Sequence, residues 1–110
     1  MKSNPVTHTI RIFKTPKQPP RVDVGNALVR PGDLVVFDAR KGDYTLFFPE
    51  AELFEKFQEP TVLHVAAGKP SDPLKVADNE QDREFEYNIF CETGRRSVVV
   101  NSPPKMIIDR

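Results

Sequence analysis

Apolar and β-branched residues come along this chain in short runs, cut repeatedly by Pro, Gly and Asp. That rhythm predicts strands joined by turns. From Val6 to Phe13 the run alternates, with Val6, His8, Ile10 and Ile12 sharing the inward face of a first strand. Prolines 16, 19 and 20 break regular pairing and predict a turn or an irregular edge. A weaker strand follows over Val22–Arg30. Pro31, Gly32 and Asp33 predict a tight turn, with Pro fixing φ at its second position and Gly accepting a positive φ at its third.

Leu34–Asp38 is nearly all apolar and predicts a strand covered on both faces. Lys41, Gly42 and Asp43 form the next turn, and Tyr44–Phe48 the next strand. Pro49–Phe57 is the one helix-like piece: Pro49 suits a first helical position, and Glu50 and Glu52 suit the positive end of the helix dipole. Pro60 limits it to one or two turns. Thr61–Ala67 reads as a strand ending at Gly68, and residues 69–83 as a long polar loop with a short strand at Leu74–Val76.

Glu84–Cys91 is the clearest strand, with Phe85, Tyr87, Ile89 and Cys91 on one face and Glu84, Glu86 and Asn88 on the other. A turn over Glu92–Arg95, a strand at Ser97–Val100 and a last strand at Met106–Asp109 complete the chain. Seven or eight strands with frequent turns predict an all-β fold, a Greek-key β-sandwich in one domain spanning residues 1–110.

Composition narrows the function classes. Sixteen basic residues balance sixteen acidic ones, so overall charge draws the chain neither to nucleic acid nor to an anionic membrane. No stretch approaches the roughly 20 apolar residues of a membrane span, and residues 1–13 lack the apolar run of a secretion signal, so the expected location is cytoplasmic. A mature secreted chain carrying a new start Met would read the same way. One cysteine, Cys91, forbids an internal disulfide.

Three segments in order carry a family resemblance. Val29–Phe37 opens a strand with Pro-Gly-Asp, Tyr44–Phe48 leads to Pro49, and Phe85–Cys91 alternates aromatic residues into a cysteine. Together they resemble the cupredoxins, the copper-protein sandwiches that include plastocyanin and azurin, across about residues 22–109. An immunoglobulin-type Greek key is the alternative sandwich. In the cupredoxins the first segment is a core strand, the second begins at the first copper histidine, and the third ends at the ligand thiolate. The resemblance therefore implies a metal site at Cys91.

The residues at the implied ligand positions depart from that pattern. A blue-copper site needs one thiolate, two imidazoles and a weak axial thioether. Asp43 or Tyr44 stands where the first histidine would be, and residues 92–96 contain no histidine. Met106 imitates the axial ligand only. Arg95 and Arg96 repel a cation. No copper or other cofactor is expected.

Other candidates read more plainly as structure. His8 and His64 have no metal-ligand spacing around them. Asp78, Glu80 and Asp82 alternate somewhat like a calcium loop, but Arg83 replaces the needed glycine and Ile89 the twelfth-position carboxylate. Strand parity turns Cys91 inward as a small apolar residue. The sharper reading makes it a reactive thiol activated by Arg95 and Arg96. No nucleophile–base–orienter set is visible, so the expectation is a protein that is not an enzyme.

If the resemblance holds, the turns at 40–44, 92–96 and 102–106 meet at one end of the sandwich. They would gather Arg40, Lys41, Arg95, Arg96 and Lys105 against Asp43 and Glu92, with Tyr44 and Phe47 as candidates for apolar contact. This predicts a binding or structural module whose loop end docks an acidic protein surface or an anionic ligand, with the arginines as bidentate donors. The competing expectation is a metal or redox protein that uses Cys91 as a thiolate.

Overall fold

The strand pattern becomes eleven strand segments in the computed structural model, which describes residues 5–13, 21–39, 42–55, 61–77, 82–91 and 104–108. They are β1 (Thr7–Phe13), β2 (Arg21–Val22), β3 (Asn26–Val29), β4 (Leu34–Ala39), β5 (Tyr44–Phe47), β6 (Val62–Val65), β7 (Lys69–Pro70), β8 (Leu74–Lys75), β9 (Arg83–Glu86), β10 (Asn88–Cys91) and β11 (Lys105–Ile108). The protein is mostly β, in mixed sheets. Among the described residues no helix is long and apolar enough to cross a membrane. The expected break at prolines 16, 19 and 20, the turn at 92–95 and the strand at 97–100 lie outside the described residues.

One sheet runs β2-β1-β4-β7, with β8 also on β4. Its centre is a parallel ladder from Thr7 opposite Leu34 to Ile12 opposite Ala39. Two further ladders run β10-β5-β6 and β3-β11-β9. They share one stretch of chain, because β9 and β10 are a single extended run interrupted at Tyr87, whose N–H donates to Pro104 O at 3.1 Å. The last strand returns to lie parallel to β3, with Met106 opposite Ala27.

Alternation decides which side chains go inward. Ile10 and Ile12 are buried from β1, Val35, Phe37 and Ala39 from β4, and Phe85, Tyr87 and Ile89 from the 83–91 run. All belong to one hydrophobic cluster. Its centre is aromatic. Tyr87 stacks on Phe48 at 5.5 Å between centroids and meets the edge of Phe37 at 5.6 Å, while Phe54 meets Phe48 edge-on at 5.2 Å. The Phe37–Tyr87 contact therefore joins the β4 sheet to the 83–91 run. Such offset and edge-to-face pairs add about 0.5–1.5 kcal/mol each beyond simple burial.

Four expectations need correction. Val6 is 54% exposed rather than inward, because it precedes the strand and lies before the β1–β4 ladder begins at Thr7. The segment read as one strand over Val22–Arg30 is two, split by a bend at Asp23 where its carboxylate accepts from Arg11 N. β4 buries one face only: Leu34, Val36 and Asp38 are half-buried, since ladder neighbours cover its edges while the core covers one side.

The fourth is the helix expected near 49–57. It is a single 3-10 turn at Ala51–Leu53 with extended backbone at Glu50 and Phe54 on either side. Tertiary pairing overrides the local signal there. Phe54 bridges Val76, Glu55 N donates to Lys75 O, and Ala77 N donates to Leu53 O. Residues 56 and 57 lie outside the described set.

Candidate functional site

The expected loop end is partly assembled. Tyr44 pairs with Cys91 on one side and Val65 on the other, so β5, β6 and β10 reach the same level. Ala39 at the end of β4 bridges Ala67, and Gly68 N donates to Ala39 O at 2.7 Å. Asp43 fastens this end by accepting from Ala67 N at 2.9 Å. Segments 40–41 and 92–96 leave from these neighbouring strand ends, but Arg40, Lys41, Arg95 and Arg96 themselves lie outside the described residues. The turn at 66–68 belongs to the same end and was missed. Its signal in the sequence is Gly68, which takes φ +76°.

Of the expected site residues, Tyr44 stands at this end but buried, and Lys105 stands elsewhere. Tyr44 is 2% exposed and belongs to the core, so its ring offers a partner nothing. Lys105 is in β11, not in a turn, and pairs with Glu86. From residue 86 to Cys91 the extended chain covers about 16 Å, too far for Lys105 to join the loop end. Its ammonium lies 3.2 Å from Glu84. Met106, the imagined axial ligand, is fully buried opposite Phe85 and Ala27, further still from Cys91. Cys91 closes β10, and its side chain lies outside the described set.

Both imidazoles are engaged in local bonds. His8 donates from Nε2 to Asp33 Oδ2 at 2.8 Å. Asp33 is buried and also accepts from Val6 N and Arg30 N, each at 3.0 Å. Burial pushes its carboxyl up, but the bonds from His8, Val6 and Arg30 outweigh that and leave it below the ordinary aspartate value. His64 Nδ1 shares a hydrogen bond with Thr45 Oγ1 at 3.0 Å, and Thr45 pairs with Phe90. His64 thus sits in the row of Thr45 and Phe90, one step off the row of Tyr44, Val65 and Cys91. Among the described residues no group of three or more His, Cys, Asp or Glu could hold a metal ion.

Sequence reasoning also passed over an open groove of about 680 Å³ lined by Pro49, Glu50, Glu84, Phe85, Glu86 and Lys105. It lies where the chain after β5 leaves the 83–91 run. Beyond it along the same run, Phe47 is 39% exposed and meets Phe90 edge-on at 4.9 Å. No protein-family model matches the chain, and a search of curated proteins finds no match.

Proposed function

We propose that this protein is a copper-free, cupredoxin-like binding module. The use made of its imidazoles carries the reading. His8 is tied to Asp33 and His64 to Thr45, so neither stands in the row of Cys91. A trigonal copper site needs two imidazoles beside the thiolate, and the chain has only these two histidines.

The binding surface in this reading is the end from which segments 40–43 and 92–96 depart. In this reading Arg40, Lys41, Arg95 and Arg96, set against Asp43 and Glu92, would bring it a modest positive excess within a neutral chain. Guanidinium groups grip carboxylates in bidentate fashion, so the partner is an acidic protein surface or an anionic ligand. Tyr44 and Lys105 drop out of this set for the reasons above.

A blocked hexaglutamate peptide, titrated into isotope-labelled protein and followed by amide chemical shifts, tests the surface. The expected result is shifts at residues 39–44 and 91–96 that disappear in Arg95→Glu/Arg96→Glu. Shifts confined to other segments, or unchanged in that variant, refute it.

A further inference from the structure

A second surface stands apart from the loop end and does not depend on it. β3 ends its ladder, pairing only with β11 among the described strands. Lys105 N donates to Gly25 O at 2.8 Å, and this fixes which way the backbone groups of β3 face. In a parallel ladder only alternate residues of a strand turn their N–H and C=O toward a given neighbour. Ala27 and Val29 therefore bond β11, while Asn26 and Leu28 present both groups to the open edge. The edge closes just beyond, where Asp33 Oδ2 accepts from Arg30 N and Asp33 N donates to Arg30 O.

This edge lacks the usual guards. Asn26–Val29 holds neither a charge nor a proline, the residues that commonly keep an end strand from pairing. Leu28 is 58% exposed, the most exposed of the large apolar side chains described, and Ile107 beside it on β11 is half-buried. Lys105, beside Asn26, is held on Glu84. At the other end of the ladder β9 carries Arg83, Glu84 and Glu86.

We propose that β3 pairs with β3 of a second copy of this chain, antiparallel about a two-fold axis at Ala27. Asn26 of each copy then meets Leu28 of the other, and each such pair exchanges both backbone bonds. Four hydrogen bonds use every open group on the two strands, and none is asked of Arg30. Ala27 meets its own copy at the position where facing side chains come closest, and its methyl group is small enough for that. The two leucines sit diagonally across the axis, within reach of each other.

Charge fits the same arrangement. The paired positions are neutral, so no like charges are set opposite each other. The antiparallel run brings the Asp23 end of one strand to the Arg30 end of the other, and both residues are exposed. Arg11 and Arg21 belong to a different sheet. Four residues span about 13 Å, less edge than a standard interface of about 1,600 Å² needs, so the dimer is weak and depends on concentration.

Sedimentation and amide shifts of the full chain, followed from about 0.02 to 2 mM, cover the weak end of the affinity scale. The expected result is a monomer that becomes a dimer, with shifts at residues 25–29 and 107. Leu28→Lys sets like charges across the axis and should weaken the dimer roughly tenfold. Asn26→Pro removes an edge donor and leaves the bonds to β11 in place, and should weaken it similarly. Both positions lie outside the core, and a native amide spectrum at the lowest concentration shows that each variant has folded. The proposal is overturned by any of three results: a monomer throughout, a dimer that the folded variants leave unchanged, or concentration-dependent shifts that map instead to the loop end, to β9 or to another face.

Discussion

His8 Nε2 lies 2.8 Å from Asp33 Oδ2, a bond that spans 25 residues and ties the first strand to the turn before β4. The same carboxylate accepts from Val6 N and Arg30 N, while Asp33 N donates to Arg30 O to close the turn. One buried side chain thus fixes the register in which Thr7 meets Leu34. Asp33→Ala leaves two backbone donors without their acceptor. It should lower unfolding stability by about 2–4 kcal/mol, from the worth of hydrogen bonds to a charged group and the cost of unpaired donors. Urea titration reads this directly; a loss under about 0.5 kcal/mol would contradict the role.

The depressed carboxyl of Asp33 adds a pH signature. The unfolded chain takes up this proton at about pH 3.9 and the folded chain only at lower pH. The contribution is therefore fully present above about pH 4 and is lost as pH falls through the folded value. The stability gap between the native protein and Asp33→Asn should narrow as pH falls below about 4. A gap that widens on acidification has the wrong sign for this account.

Tyr87 presents the opposite case. It is fully buried, and its hydroxyl finds no hydrogen-bond partner among the described residues. Burial, with a smaller push from the Asp23 charge, raises its phenol well above the ordinary tyrosine value. Tyr87→Phe keeps the ring between Phe37 and Phe48 and removes the stranded oxygen. We expect it to be neutral or to stabilise by up to about 1–2 kcal/mol. The native protein should also lose stability as pH rises past about 10, where the unfolded phenol ionises and the folded one does not. Tyr87→Phe should lack that alkaline loss. A destabilisation above about 1 kcal/mol would mean the hydroxyl is satisfied after all.

Two glycines separate backbone strain from steric conflict. Gly32 and Gly42 take φ of +88° and +82°. A Cβ on Gly32 meets nothing within 4 Å, whereas one on Gly42 would sit 3.3 Å from Tyr44 Oη. Gly32→Ala should cost about 1–2 kcal/mol from conformation alone. Gly42→Ala should cost more, because the Tyr44 ring is buried and has little room to give. Thermal unfolding of the two variants checks the order; equal losses would deny the Tyr44 contact.

The legible part of the fold is the part written in period two. Phe85, Tyr87 and Ile89 alternate with exposed Glu84, Glu86 and Asn88, and the structure buries the first set. Pro31 and Gly32 specify their turn just as directly, because Pro fixes φ and Gly admits the positive φ that other residues resist. Positions whose state is set by distant partners were not legible. Pro49–Phe57 read as a helix-like piece until Phe54 pairs with Val76. Asp33 looked like an ordinary turn residue until His8 and Val6 came to it.

The candidate site follows the same division. The ends of β5 and β10 come to one level at Tyr44 and Cys91. Lys105 does not join them, because its place depends on the register of β11 against β9, which no local pattern encodes. The groove beside β9 arises where two ladders part at Tyr87. Neither strand's own sequence marks such a gap.

The most direct measurement is a titration of the reduced protein with Cu(II) and with Co(II), read by visible absorption. With His8 bound to Asp33 and His64 to Thr45, the account predicts no thiolate charge-transfer band with either metal. A band that saturates at one metal per chain and vanishes in Cys91→Ser would contradict it.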